Sequence, residues 1–259
     1  MRDTLLMVAL LAIGSACAHA ESLTGYEIAK RSDGIPGGTT CQETATMTLV
    51  NKKGKSRVRV VSMSTKDYGD VKKSVLVFSQ PKDVAGVAYL MFEWDDQDRD
   101  DDCWLYLPAM KKVRRISGSG KEEDFMGTDF TYDDMGDRGV GKDVFTLLGE
   151  EDVDGQSCYK VQAVAKDNTE RNPRRIEWYR TSDYLLLKAE LYDRQDMLER
   201  VMVSEDIRTI DGYLTIGKMT IQNVQTGHKT ILEMSDVAYD RNLDDSLFTV
   251  AAIERGNLL

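Results

Sequence analysis

With 259 residues, 41% of them hydrophobic and 30% charged, the chain carries enough apolar material for a sizeable core, which excludes a wholly disordered protein. A net charge of −10 argues against nucleic acid as a partner, because phosphate binding needs a basic face or stripe. Of the two histidines, His19 lies in a segment expected to be removed, and His228 alone builds no multi-histidine metal site.

The first twenty residues read as a secretory signal: Arg2, an apolar run from Leu5 to Ile13, small residues, then Ala18-His19-Ala20 as an A-x-A cleavage motif. Cleavage after Ala20 is expected, leaving residues 21–259 as one exported domain. Lipid attachment at Cys17, after Gly14-Ser15-Ala16, is the weaker alternative. No later run reaches the ~18 apolar residues of a membrane helix. Cleavage leaves Cys41, Cys103 and Cys158. An oxidising compartment favours one disulfide among them, and their spacing does not choose between the three pairings.

Leu23 to Arg31 reads as a short helix behind Thr24 as N-cap, closed by Asp33-Gly34-Ile35-Pro36-Gly37-Gly38. From there the hydrophobic period changes to two. Thr44 to Val50 and Lys55 to Val61 form a hairpin about Asn51-Lys52-Lys53-Gly54. Lys72 to Ser79, Gly86 to Trp94, Asp102 to Leu107 and Lys112 to Ser117 follow as strands. The second half continues with Val144 to Glu150, Ser157 to Val164, Arg174 to Arg180, Tyr184 to Tyr192, Leu198 to Arg208, Tyr213 to Val224 and His228 to Val237. Short polar turns between them mean antiparallel order, since parallel strands need crossovers for which there is no room. Only Asp124 to Gly141 and Leu243 to Phe248 break the pattern, the second as a helical turn. So many strands must roll up into a curved or partly closed barrel with a short helix near its mouth.

The strands are amphipathic. Met47 and Leu49 share a face, as do Val58 and Val60, Val75 and Val77, Tyr89 and Met91, and Trp104 and Tyr106. Little helical material is available to cover such a sheet, so its inner face is a candidate site for an apolar guest. The competing reading is a core that fills itself. Glu93 to Asp102 fails the twelve-residue calcium template and reads as a solvated hairpin loop. Lys111-Lys112-Val113-Arg114-Arg115 reads as a solvated strand end, Glu122 and Glu123 as surface acids, and His228 as a surface or packing residue. No catalytic set and no cofactor motif stands out, so an enzyme is not expected.

Three segments carry a resemblance: Phe78 to Leu90 (FSQPKDVAGVAYL), Asp102 to Ile116 (DCWLYLPAMKKVRRI) and Phe125 to Met135 (FMGTDFTYDDM). Together they resemble the outer-membrane lipoprotein-sorting family, which is similar to the periplasmic carrier LolA. The resemblance implies a mainly β fold, an unclosed antiparallel half-barrel with a short helical lid. It implies a periplasmic carrier of lipoprotein acyl chains or other lipid between envelope membranes. An inner-membrane exporter of the resistance-nodulation-division type and an outer-membrane acceptor are the implied partners. On this reading Met47, Leu49, Val58, Val60, Val75, Val77, Tyr89, Met91, Trp104 and Tyr106 are candidate cavity residues, although a one-residue error in register replaces the whole set. Phe125, Met126 and Phe130 are candidate lid or rim residues, and a lid that opens for delivery should be weakly packed. The rival class is an envelope scaffold with a self-filled core.

Overall fold

The computed structural model describes residues 23–96 and 99–256, so the expected signal sequence and its cleavage site lie outside the described residues. The period-two segments form thirteen strands: β1 (Thr40–Val50), β2 (Ser56–Asp67), β3 (Val71–Gln80), β4 (Ala88–Trp94), β5 (Asp102–Leu107), β6 (Lys112–Ile116), β7 (Asp143–Val153), β8 (Gln156–Ala165), β9 (Arg174–Arg180), β10 (Leu186–Tyr192), β11 (Leu198–Ile210), β12 (Tyr213–Asn223) and β13 (His228–Tyr239). They make one unclosed antiparallel sheet in the order β6-β5-β4-β3-β2-β1-β13-β12-β11-β10-β9-β8-β7. Two meanders are therefore sewn together where β1 pairs with β13, with Met47 opposite Leu232. This is the half-barrel that the resemblance implies.

The edge strands β6 and β7 are consecutive in the chain yet lie at opposite ends of the sheet. Residues 117–142, which join them, must cross a face. This strap contains only short 3₁₀ turns, and its Phe125, Phe130 and Tyr132 pack with Met47, Val61, Phe78, Tyr89 and Leu105. The face it crosses is called the inner face below.

Two helices cover what the strap leaves. In α1 (Gly25–Asp33), Thr24 and Glu27 form the reciprocal cap that their spacing predicts, with Glu27 N–H donating to Thr24 Oγ1 at 3.2 Å and Thr24 N–H to Glu27 Oε2 at 2.7 Å. Its Ile28 and Ala29 pack on Val161 and Tyr179. Gly25 sits so close to β7 that a Cβ there would lie 2.8 Å from the Leu147 nitrogen, so only glycine lets the helix approach. At the other end of the sheet Phe248 and, in α2 (Val250–Arg255), Ile253 cover Val75, Val77, Ala88 and Leu90 on the outer face.

The expected disulfide does not form: Cys41, Cys103 and Cys158 are all free thiols. They lie on β1, β5 and β8. Strands stand about 4.8 Å apart, so four strand steps separate Cys41 from Cys103 by roughly 19 Å, far beyond bridging distance.

The covering of the outer face is testable. Phe248→Ala and Ile253→Ala should each destabilise the fold by about 2–5 kcal/mol in urea titrations, because both are fully buried. Val58→Thr, 51% exposed on the same face but beyond the reach of α2, should shift stability by about 0.5 kcal/mol or less.

Candidate functional site

Cross-strand register decides which side chains meet. Met47 stands opposite Arg59, Leu49 opposite Arg57 and Ala45 opposite Val61. Val61 stands opposite Phe78 and Met63 opposite Leu76. Leu76 then meets Tyr89, and Tyr89 meets Leu105. Beyond the seam, Leu232 meets Met219, Ile221 meets Met202, and Met202 meets Ala189. These residues form the inner face.

Of the ten candidate cavity residues, Met47, Leu49, Tyr89 and Met91 belong to the cluster under the strap. Val75, Val77, Trp104 and Tyr106 belong to the outer cluster beneath α2. Val58 is exposed and Val60 half-buried, and both alternate away from Arg59 on the outer face. The ten therefore do not share a face. The physical reason is that β3 and β4 bury residues on both sides, so alternation along them marks no preferred side.

The strap's tip is a small hairpin. Asp124 bridges Thr131, and Phe125 N–H donates to the Phe130 carbonyl at 2.7 Å. Met126 and Gly127 turn it with φ of 50° and 74°. The left-handed conformation costs a non-glycine residue about 1–2 kcal/mol. Phe125 is fully buried and makes ring contacts with Phe78, Tyr89 and Tyr132 at 5.3–6.0 Å. Thus Phe125 and Phe130 lie on the inner face, and half-buried Met126 lies at its margin.

The strap is firmly held, which corrects the expectation of weak packing. Arg59 donates to the Met126 carbonyl at 2.7 Å. Thr230 and His228 both bind Asp129 Oδ2, at 2.8 and 2.7 Å. Arg200 donates to the Asp129 carbonyl at 2.9 Å and pairs with Asp134. Asp137 N–H donates to Glu93 at 2.6 Å. The His228–Asp129 pair thus ties the strap to β13.

Beside the strap, toward β9–β12, a hollow of about 360 Å³ remains. Its floor is apolar: Ala189, Leu191, Met202, Met219 and Ile221. Its walls are charged. Arg175 pairs with Asp143 at 2.6 Å and Glu177 at 2.8 Å, and Arg171 pairs with Glu199 at 2.7 Å. Burial pushes the Asp143 carboxyl up, but hydrogen bonds and charge from Arg138 and Arg175 outweigh it and hold the group low. Glu199 follows the same balance, with Arg171 and Asn172 as its partners. The sequence reading missed these wall residues. Arg175 and Glu177 alternate with Ile176 and Trp178, a pattern that reads equally as a solvated strand face.

A family model described as "Uncharacterized protein" matches residues 70–255. No curated protein matches the chain. Among solved structures, it is similar to a DUF1329 family protein from Desulfovibrio piger, at 33% identity and a TM-score of 0.84, over 88% of this chain and 97% of that one. It is also similar to a structure described as an outer membrane lipoprotein-sorting protein domain from Vibrio parahaemolyticus, at 31% identity and a TM-score of 0.83, over 89% of this chain and 98% of the other. A LolA superfamily protein from Nitrosomonas europaea shares the fold at 19% identity and a TM-score of 0.69, over 89% and 99% of the two chains.

The strap's exit carries a pH signature. Burial raises the Glu93 carboxyl to about 7 from an ordinary 4.5, with Lys72 opposing. Between these values the native state keeps a proton that the unfolded chain has released, so stability falls as pH rises from about 4.5 to 7. The effect amounts to about 3 kcal/mol at most. Glu43 and Asp33, also raised by burial, act in the same direction. Urea titrations at pH 5 and pH 8 should show the higher stability at pH 5, and Glu93→Gln should reduce the difference.

Proposed function

This chain belongs to the DUF1329 family, and from that premise we propose that it is a periplasmic carrier that shields acyl chains of lipoproteins or other lipids between envelope membranes. The observation that supports this most directly is the unclosed sheet. Its inner apolar face is covered by a strap without regular secondary structure, and an apolar-floored hollow of about 360 Å³ is left beside it. That volume falls within the range of roughly 300–1,000 Å³ typical of ligand pockets. The relative described as a lipoprotein-sorting domain adds the cargo class.

The mechanism is non-enzymatic. Burying each CH₂ yields about 0.8 kcal/mol, so a sixteen-carbon chain gains roughly 12 kcal/mol at most before ordering costs. Such a chain first meets the floor formed by Ala189, Met202 and Ile221. To go deeper it must displace Phe125, which fills the space among Phe78, Tyr89 and Tyr132. The polar tethers keep both flanks of the strap in place while its tip moves. Passage from an inner-membrane exporter to an outer-membrane acceptor, after export with cleavage behind Ala20, completes the proposal.

The second reading, a non-enzymatic envelope scaffold, draws on the same Phe125: the centre of the inner face is filled by the chain's own rings. Uptake of a fluorescent sixteen-carbon fatty acid separates the two. Phe125→Ala should bind the probe more tightly than the wild type while losing about 3–5 kcal/mol of stability, because it exchanges a buried ring for space. Absence of uptake by both proteins, with no lipid seen by native mass spectrometry of protein purified from the periplasm, would favour the scaffold.

A further inference from the structure

A second hollow, of about 400 Å³, lies on the other side of the strap's tip. It is lined by Lys55, Arg57, Arg59 and His228, together with Leu49 and Met126. The register explains the grouping. Arg57 stands opposite Leu49 and Arg59 opposite Met47, so both arginines project from the inner face, two residues apart on β2. Leu49 in turn stands opposite Thr230, two residues from His228 on β13.

Three cations meet in this one hollow. Many basic side chains of the protein find carboxylates, as Lys66 finds Asp245 and Lys218 finds Glu205, while others such as Lys53 and Lys112 stand exposed at turns and strand ends. Lys55, Arg57 and Arg59 make no ion pair among the described residues, although acids outnumber bases in the chain. Asp129 is occupied by His228 and Thr230. Burial lowers the affinity of Arg59 for its proton, Asp83 offsets this in part, and the positive charge of Arg57 adds to it. Three neighbouring cations with no carboxylate in ion-pair contact repel one another, and an anionic ligand relieves that repulsion. The same hollow is apolar on one side. Leu49 belongs to the apolar cluster of the inner face, and Met126 packs against it.

We propose that the Lys55–Arg57–Arg59–His228 hollow is the headgroup site for an anionic, phosphate-bearing amphiphile whose acyl chain runs from Leu49 and Met126 onto the inner face. The inference rests on the carrier reading and narrows its cargo to lipids with an acidic headgroup. Two arginines suit a phosphate because guanidinium groups bind its oxygens in a fork. The left-handed Met126–Gly127 turn keeps the strap's backbone compact at the entrance.

The test uses the exported chain and two fluorescent-tailed probes with the same acyl chain, a lysophosphatidic acid and its phosphate-free monoacylglycerol. Glycerol 3-phosphate serves as the free-anion arm. The wild type should bind the phosphate-bearing probe about tenfold or more tightly than the neutral one. Raising salt from low to high concentration should erode the preference. Lys55→Gln/Arg57→Gln, at two exposed positions, should bring the two affinities to within about twofold, with circular dichroism checking the fold. Equal affinities in the wild type, or a preference that survives the double substitution, would overturn the headgroup site and leave the carrier reading standing. Glycerol 3-phosphate binding as tightly as the lipid would assign the cluster to a soluble anion and also overturn it. Failure of both lipid probes to bind would remove the carrier reading together with the headgroup site.

Discussion

An unclosed sheet whose two edge strands are consecutive in the chain forces their connection across one face. That constraint orders the rest of this molecule. Residues 117–142 have no other short route from β6 to β7, and they carry Phe125, Phe130 and Tyr132 onto the inner face. The crossing divides that face into compartments. Beneath the strap lie packed aromatic rings, toward β9–β12 an apolar floor with charged walls, and toward β1, β2 and β13 a basic hollow. The outer face has no such strap, so it depends on α2 at one end, and Val58 remains exposed where α2 does not reach.

The charged walls follow from the same geometry. A strap of irregular backbone leaves amide and carbonyl groups that need partners away from water. Arg200 and Arg59 supply donors to the strap carbonyls of Asp129 and Met126, while Thr230 and Glu93 accept from the strap N–H groups of Asp129 and Asp137. A buried guanidinium is expensive unless its own donors are met. Arg175 meets this need with Asp143 and Glu177, whereas Arg200 keeps one buried nitrogen without a partner beside the hollow. Polar satisfaction thus anchors the strap's flanks, and at the tip the packing of Phe125 is joined by the single Arg59 bond to Met126.

The sequence made the strands legible because alternating or short apolar runs between polar turns recur along the chain, β3, β4 and β9 being buried on both sides rather than alternating. It made α1 legible because Thr24 and Glu27 stand at capping-box spacing. Which face each strand turns inward was not legible. Val75 and Val77 alternate as regularly as Leu76 and Phe78, and both pairs are buried, so only register with neighbouring strands separates them. The path of residues 117–142 depends on strand order, which no local pattern states. Arg175, Glu177 and Arg200 look like the polar side of solvated strands until the strap covers them. The cysteines carried no pairing information, and their strands place them too far apart to bridge. The basic run of Lys55, Arg57 and Arg59 was visible as alternation, but its lack of counter-charges required the folded molecule.

The compartments also fix what movement a carrier of this build needs. Releasing the whole strap would break the Arg200–Asp134 and Lys72–Asp137 pairs together with the Asp129 tether. Leaving buried Arg200 without its partners alone costs several kcal/mol. Releasing only the turn from Phe125 to Thr128, with the Asp129 tether left in place, breaks the Arg59 bond to Met126 and the Phe125 bond to the Phe130 carbonyl and unpacks one phenylalanine, while relieving the left-handed strain at Met126. On the proposed carrier reading, an entering acyl chain would replace the lost Phe125 contacts with its own, which brings the exchange close to balance in apolar area. A near-balanced exchange suits a carrier, which must release its cargo as well as take it up. It assigns the moving part to the turn from Phe125 to Thr128, with the sheet and the tethered flanks of the strap, Asp129 among them, as its fixed frame.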